Sequence, residues 1–178
     1  MIKKDFHELE GILVKLSQFK ESDISKTYIS WLNDPKVVQY SNQRFIKHNF
    51  LSCQNYFNTF VDSDNLFLAI TDKVDGRTIG TMTVYYNRHH GVADVGIMIG
   101  DVSKWGKGYG KDAWNLVISW ALKRNSVRKV TAGTLVCNMG MIHLIEKSGM
   151  HLEAVRKSQE VVNSKAEDIL LYSIFSEN

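Results

Sequence analysis

The sequence predicts a single α+β domain in which helices flank a mixed, mostly antiparallel sheet of about six to seven strands. At 178 residues with 44% hydrophobic content, the chain can bury one substantial core. Strand-like runs separated by tight turns fill its middle, and a glycine-rich loop then leads into a helix that joins two more strands. One domain is therefore expected to span residues 1–178.

The first third of the chain predicts one strand and two helices. Residues 12–19, ILVKLSQF, alternate as a strand does. Ser22 is a candidate N-cap for a helix that stops at Pro35, the only proline. A second helix is expected from about Asn49 to Asp62, where aromatic residues form an apolar face. The polar and aromatic segment between them, residues 35–47, predicts a loop or short helix with groups free to face a ligand.

The middle of the chain predicts an antiparallel meander. Residues 65–72, 78–86 and 92–100 have strand patterns and are joined by tight turns. This order argues against a dinucleotide-binding half, in which a crossover helix would separate each pair of strands. The strand at 128–136 follows a helix, so we expect it to lie parallel to the strand at 92–100.

The last third predicts a helix followed by two strands. Asn138 opens the helix and Gly149 ends it. The strands are expected at residues 150–158 and 168–175. Because no repeat, linker or low-complexity tract interrupts this order, a second domain is not expected.

Three alternate glycines, Gly106, Gly108 and Gly110, stand directly before the central helix. Such spacing indicates unusual backbone dihedrals or the close approach of a ligand, and free amides at a helix N-terminus bind anions. A tight strand-to-helix connection without a ligand is the alternative. The P-loop pattern fails, because Trp105 occupies its first glycine position and Asp112 follows the Gly-Lys pair.

The dinucleotide fingerprint G-x-G-x-x-A does fit residues 108–113. It should be followed by an acid at the end of the next strand, roughly 20 residues on, and the sequence has none there. The loop is therefore predicted to hold a phosphate in another context.

Composition excludes several classes of protein. The net charge of +3 is too small and too evenly spread for a nucleic-acid partner, although it suits small anionic ligands. Cys53 and Cys137 are too few for a disulfide scaffold and are expected to be buried thiols in a reducing compartment. With no apolar run of membrane-spanning length, a cytoplasmic location is expected. No metal is expected, since only His89 and His90 are adjacent among the histidines and cysteines.

This order of elements resembles the GNAT superfamily of acetyl-CoA-dependent N-acetyltransferases. Residues 105–110, WGKGYG, are similar to the family loop Q/R-x-x-G-x-G/A, and residues 138–150, NMGMIHLIEKSGM, are similar to its later asparagine motif. The first motif looks like the branch of ribosomal-protein N-terminal and amino-sugar acetyltransferases. The resemblance covers nearly the whole chain and implies a GNAT-like fold with splayed fourth and fifth strands.

The resemblance implies where acetyl-CoA, the acetyl donor, would lie. Amides 106 to 111 would hold the pyrophosphate, and the strand ending at Gly100 would pair with the pantetheine arm. Asn138 would hydrogen-bond that arm, or serve as a plain helix N-cap, or both. His143 would lie near the adenosine. The implied cofactor-binding set is Met98, Ile99, Gly100, Trp105, Gly106, Lys107, Gly108, Tyr109, Gly110, Lys111, Asn138 and His143.

The sequence departs from the family pattern at three positions. Trp105 replaces a common Arg or Gln, and Met141 stands where members have a serine. Ile145 stands where other members have a tyrosine. Since that serine or tyrosine is thought to protonate the leaving thiolate, another group or solvent would do so here. A regulatory domain that binds coenzyme A without turnover therefore stays open as an alternative.

An acceptor amine must lose a proton before it attacks a thioester, so a general base is needed. The resemblance suggests Asp94, on the strand that carries a glutamate base in many members, and Glu160, just before the last strand. Either could equally be an ordinary solvated carboxylate. His89 and His90 could reach an acceptor, although turn histidines are usually only solvated.

The acceptor wall is expected in the segment that contains Trp31, Tyr40 and Arg44. The two rings could stack on a sugar or base, and Arg44 could pair with a nucleotide phosphate. Trp31 and Tyr40 could instead belong to the core. An amino-sugar acceptor, nucleotide-linked or free, is favoured, and the N-terminal amine of a protein is the alternative. A homodimer stays open, and neither nucleic acid nor a membrane is expected as a partner.

Overall fold

The computed structural model describes residues 6–177. One eight-stranded sheet runs through them in the order β1-β2-β3-β4-β5-β6-β8-β7. The strands are β1 (Leu9–Glu10), β2 (Val14–Gln18), β3 (Leu66–Asp72), β4 (Thr78–Asn87), β5 (Val92–Ile99), β6 (Lys129–Leu135), β7 (His151–Val162) and β8 (Lys165–Phe175). The helices are α1 (Lys26–Leu32), α2 (Pro35–Val38), α3 (Phe50–Val61), α4 (Tyr109–Leu122) and α5 (Met139–Lys147).

The sheet confirms the predicted fold class. Neighbouring strands are antiparallel except for β5 and β6, which α4 connects. The strands predicted as fourth and fifth are β5 and β6, because the two-residue β1 adds one strand at the N-terminus. The predicted meander is β3, β4 and β5, so the local turn signals gave the right pairing.

The start of α1 corrects the predicted cap. Ser25 is the N-cap, and its hydroxyl accepts a hydrogen bond from the amide of Tyr28. Ser22 lies three residues earlier in a turn of 3-10 helix. Pro35 ends the α1 segment but also begins α2, because Asp34 caps that short helix by accepting from the Lys36 amide at 2.9 Å. A proline at the first helical position loses no hydrogen bond.

The two faces of the sheet bury different cores. On one face, α4 packs against the strands and places Trp114, Val117 and Ala121 fully inside. On the other face, α1 and α3 enclose an aromatic cluster in which Phe19 and Phe67 stack at a centroid distance of 4.2 Å. The strands between them are therefore shielded from water on both sides over their central residues.

The C-terminal hairpin is longer than predicted and corrects the position of Glu160. Asn163 and Ser164 have φ of 49° and 64° and form its two-residue turn, as such turns require. A register shift between Arg156 and Glu160 makes β7 bulge. Between the turn and this bulge, Glu160 lies within β7, directly opposite Glu167 of β8, and not just before the last strand.

None of the helices in residues 6–177 is long and apolar enough to cross a membrane.

Candidate functional site

A cleft opens where β5 and β6 separate. These strands are paired only at three positions, the last being Asp94 with Thr131. Beyond that pair, β5 forms one wall and the start of α5 forms the opposite wall of a cavity of about 680 Å³. We call it the sheet cleft. Its other borders are the glycine loop and α2.

The glycine loop delivers free amides to this cleft. Gly106 and Gly108 have φ of 69° and 91°, values that a residue with a side chain adopts only with strain. Gly108 is the N-cap of α4, and its carbonyl accepts the Asp112 amide at 2.9 Å. The amides of residues 109–111 precede that first bond and have no acceptor within the helix, so they are available to an anion, and we call them the anion site.

A carboxylate fixes the start of α4 to the N-terminal strands. Asp112 accepts hydrogen bonds from the amides of Leu13 at 2.7 Å and Val14 at 3.0 Å. A side chain at Gly11 would overlap this carboxylate. The anion site is therefore attached rigidly to β2.

A buried ion pair fixes the segment before the glycines. Asp72, at the end of β3, is fully buried and pairs with the Lys104 ammonium. The amide of Val74 also donates to it at 2.9 Å. These contacts hold the pKa of the Asp72 carboxyl below its usual range, the Lys104 bond being the main cause. The Lys104 ammonium also lies 4.9 Å from the ring centroid of Tyr109.

The charge of the sheet cleft suits a polyanion. Its lining includes the basic side chains of Lys36, Lys104, Lys111 and Lys147, together with His143. No Asp or Glu is among the described residues that line it. Phosphate groups would therefore meet cations and backbone amides without a carboxylate nearby.

Trp105 lines the cleft and links the glycine loop to β5. Its indole Nε1 donates to the carbonyl oxygen of Ile99 at 2.8 Å, which ties the loop to the end of β5. The Lys36 ammonium lies 5.7 Å from its ring centroid. At the position where the family pattern commonly has Arg or Gln, the neutral indole of Trp105 therefore connects the loop to β5.

The structure brings most of the sequence-predicted cofactor residues into the sheet cleft. Those that line it are Met98, Ile99, Trp105, Gly106, Gly108, Gly110, Lys111, Asn138 and His143. Three others lie outside its lining. Gly100 packs against the ring of Trp31, Tyr109 packs on the main core, and Lys107 is exposed at the loop tip.

Asn138 is a helix N-cap at the border of the cleft, and its bond to the cofactor arm stays a prediction. Its side-chain oxygen accepts from the Met141 amide at 3.2 Å, so it caps α5. The same residue lines the sheet cleft. Met141 lines the cleft as well, whereas Ile145 is fully buried in the core, so neither position can protonate a thiolate.

A second cavity of about 670 Å³ adjoins the first. We call it the side cavity. It lies between the segment from α1 to residue 47 and the β7–β8 hairpin, and it shares residues 38–40 with the sheet cleft. Cys137 lines it and is partly exposed, which corrects the expectation that both cysteines are buried; Cys53 is buried.

Two of the predicted acceptor residues line the side cavity. Tyr40 is half-exposed and lies where the two cavities meet. Arg44 uses Nη2 to contact the Val161 carbonyl at 3.2 Å and Glu160 at 3.6 Å, while its Nη1 is buried without a hydrogen-bond partner. Trp31 is 9% exposed and belongs to the aromatic core.

The carboxylates lie in different surroundings. Asp94 lines a separate shallow recess near the β4–β5 turn and accepts a 2.6 Å hydrogen bond from the Thr131 hydroxyl. Desolvation raises the pKa of Asp94, and the Thr131 bond opposes this only in part. Glu160 faces Arg44 and Asn42. Their assignment as bases remains a prediction.

Sequence reasoning missed Glu167 and Lys165. Both line the side cavity, and Lys165 Nζ lies 2.9 Å from Glu167 Oε1. Local pattern marks them only as polar residues at the start of a strand. Their position depends on the register of β7 against β8, which the two-residue turn at Asn163 and Ser164 sets.

Comparisons with known proteins agree with this geometry. RimL, a ribosomal L7/L12 alpha-N-protein acetyltransferase in complex with coenzyme A, superposes with a TM-score of 0.83 at 13% identity, covering 95% of this chain and 98% of that one. Spermidine N-acetyltransferase from Vibrio cholerae, in complex with CoA and spermine, gives 0.81 at 18% identity, covering 92% and 96%. These likenesses show the fold.

Two sequence comparisons concern the family. Probable N-acetyltransferase YjcK of Bacillus subtilis (strain 168) is 27% identical over 104 residues. The match spans 57% of this chain and 57% of that relative's length. The model of the acetyltransferase (GNAT) domain matches residues 14–151. With the fold, the splayed strands and the glycine loop in agreement, the chain belongs to the GNAT acetyltransferase family.

Proposed function

We propose that this protein transfers an acetyl group from acetyl-CoA to the primary amine of an anionic small molecule held in the side cavity. The observation that carries the proposal is the junction of two cavities at residues 38–40. One cavity ends in free helix amides, and the other contains a carboxylate and several basic groups. A donor and an acceptor could therefore meet end to end.

The sheet cleft fits coenzyme A by its own chemistry. The amides of residues 109–111 and the side chain of Lys111 would bind the phosphates. The exposed edge of β5 at residues 97–99 offers backbone partners to an extended amide-containing arm. When bound, acetyl-CoA supplies the activated acetyl group as a thioester.

The chain's remaining task is to present a neutral amine. Primary amines are mostly protonated near pH 7, so a carboxylate or water must accept a proton before attack. Met141 and Ile145 give the chain no acid for the leaving thiolate at those two positions. We therefore expect solvent to protonate the thiolate.

The charges of the side cavity favour an anionic acceptor. Arg44, Lys47 and Lys165 line it. Glu160 pairs with Arg44 and Glu167 pairs with Lys165, so the three basic groups exceed the two carboxylates by one charge. We therefore expect a polyamine such as spermidine to be a poorer acceptor than an anionic amine, although one structural neighbour is a spermidine acetyltransferase. A nucleotide-linked amino sugar combines the required amine and phosphates, and the half-exposed ring of Tyr40 could stack on it.

The test is release of free thiol from acetyl-CoA with a panel of amines. The panel contains a uridine-diphosphate-linked amino sugar, the same sugar without phosphate, spermidine, and a peptide with a free N-terminus. We expect the nucleotide-linked sugar to give the highest kcat/KM. In Arg44→Ala, KM should rise at least about tenfold for that substrate and change little for the amino sugar that lacks phosphate.

Other outcomes would replace the proposal. Fastest turnover with the peptide would identify a protein N-terminal acetyltransferase. If coenzyme A raises the melting temperature but no amine releases thiol, the protein is a binding domain without turnover.

A further inference from the structure

We propose that Glu167 binds the ammonium group of the acceptor and accepts its proton before attack. This inference rests on the proposed function and identifies its base. It assigns the role to a residue other than Asp94 and Glu160, the two carboxylates that the family pattern suggests.

Glu167 occupies the only acidic position among the described residues that line the side cavity. It is 7% exposed. Its neighbour Asp168 accepts a hydrogen bond through its carbonyl from the Val136 amide at 2.9 Å, so β8 runs beside the end of β6. There Cys137 lines the side cavity and the next residue, Asn138, lines the sheet cleft. Glu167 thus lies beside the segment of the chain that passes from the lining of one cavity to the lining of the other.

An ammonium group already occupies this carboxylate. Lys165 Nζ lies 2.9 Å from Glu167 Oε1, at hydrogen-bond distance, and the Lys165 side chain is 77% exposed. Its ammonium has the same chemistry as that of a primary amine substrate. Because an exposed lysine on a flexible stem loses little when it turns to solvent, an incoming amine can take its place.

The other two carboxylates are held elsewhere. Glu160 contacts the Arg44 guanidinium at 3.6 Å and accepts from Asn42 at 3.4 Å. Its charge is thus balanced by Arg44, although it lies opposite Glu167 in the sheet. Asp94 lines the shallow recess and neither of the two cavities. Glu167 is therefore left to receive the amine.

The proton balance is simple. The acceptor's N–H bond breaks and an O–H bond forms on Glu167, which releases that proton to solvent. The neutral nitrogen then bonds to the thioester carbon, and the C–S bond breaks as the electron pair leaves with sulfur. The nitrogen loses its second proton to solvent, and solvent protonates the thiolate. No oxidant or metal is required.

The experiment compares Glu167→Gln with Glu153→Gln, a matched change on β7 whose carboxylate pairs with Lys129 outside both cavities. With the nucleotide-linked amino sugar at pH 7, Glu167→Gln should lower kcat by about 10²- to 10⁴-fold. That loss should shrink as pH rises, because more amine then arrives neutral. Glu153→Gln should retain the wild-type rate and pH profile. Calorimetry should show unchanged affinity for coenzyme A in both variants.

Two further measurements separate a base from a structural residue. Glu167→Asp keeps the carboxylate and should recover part of the lost rate, and circular dichroism checks that each variant is folded. If the wild-type protein turns over and Glu167→Gln has the same rate and pH profile, this inference is overturned while the proposed function stands. No turnover by the wild-type protein with any amine would overturn the proposed function, and this assignment with it.

Discussion

Replacing Gly108 by valine should abolish coenzyme A binding while the protein stays folded. Gly108 has φ of 91°, and a residue with a side chain pays roughly 1–2 kcal/mol to stay in this region. Its new Cβ would lie 3.4 Å from Leu13 Cδ1, which leaves little room for the branched side chain. The loop can relieve the strain only by rotating out of the left-handed region, and the first amides of α4 then change direction.

The size of the effect follows from the bonds that this rotation removes. Hydrogen bonds to charged groups contribute about 1.5–3 kcal/mol each, so losing two of the three amides of residues 109–111 costs about 3–6 kcal/mol. The Kd for coenzyme A should rise by about 10²- to 10⁴-fold, measured by calorimetry. The strain itself should lower the melting temperature by about 2–8 °C.

Gly149→Val is the matched control. Gly149 has φ of 85°, and its nearest neighbour for a Cβ is Ile174 Cδ1 at 3.7 Å, so the strain and crowding are similar. It follows the C-terminal end of α5 and lies outside the lining of the sheet cleft. This variant should lose a comparable melting temperature and keep the wild-type Kd. A folded Gly108→Val protein with a Kd within twofold of wild type would refute the assignment of the anion site.

Three other variants test the surroundings of the site. Neighbouring atoms partly desolvate the Asp94 carboxyl and raise its pKa, although the residue is exposed at the surface. Asp94→Asn should therefore raise the melting temperature only slightly at neutral pH, and the gain should vanish as pH falls toward the ordinary pKa of 3.8. The ionised form of Asp72 stabilises the fold, because Lys104 lowers the pKa of its carboxyl. Asp72→Asn should therefore lower the free energy of unfolding in urea melts above about pH 4, and the difference from wild type should disappear in acid. Trp114→Ala should cost about 3–5 kcal/mol in chemical denaturation, because the ring is fully buried and its Nε1 donates to Ser148.

Local signals were sufficient for much of the fold. The meander from β3 to β5 follows from tight turns between alternating runs, and the parallel pair follows from the helix that connects β5 and β6. The glycine loop before α4 was predictable for the same reason, since its three glycines and the helix they precede are contiguous; that its amides bind phosphate stays a prediction. Ser22 was the wrong cap because Ser25 offers the same side-chain chemistry three residues later. Only the backbone path distinguishes two such serines.

The side cavity could not be predicted in the same way. It brings together Arg44, Cys137 and Glu167, which are far apart in sequence. The two-residue turn at Asn163 and Ser164 places Glu167 opposite Glu160. The cavity forms only because this hairpin packs beside residues 32–47 and Cys137, and a local sequence pattern does not contain such tertiary packing. The family resemblance pointed to Glu160, and Glu167, its partner across the strands, was missed.

The short pairing of β5 with β6 divides the sheet into two leaves. Three residue pairs, ending at Asp94 with Thr131, are the direct ladder between the strands β1–β5 and the strands β6–β8. Beyond these pairs, the facing backbone groups of β5 and β6 are not bonded to each other. A molecule that hydrogen-bonded to both strands would therefore connect the two leaves. Local opening and global unfolding are then distinct events. Coenzyme A should slow amide hydrogen exchange far from the cleft, as the two leaves come to open as one cooperative unit.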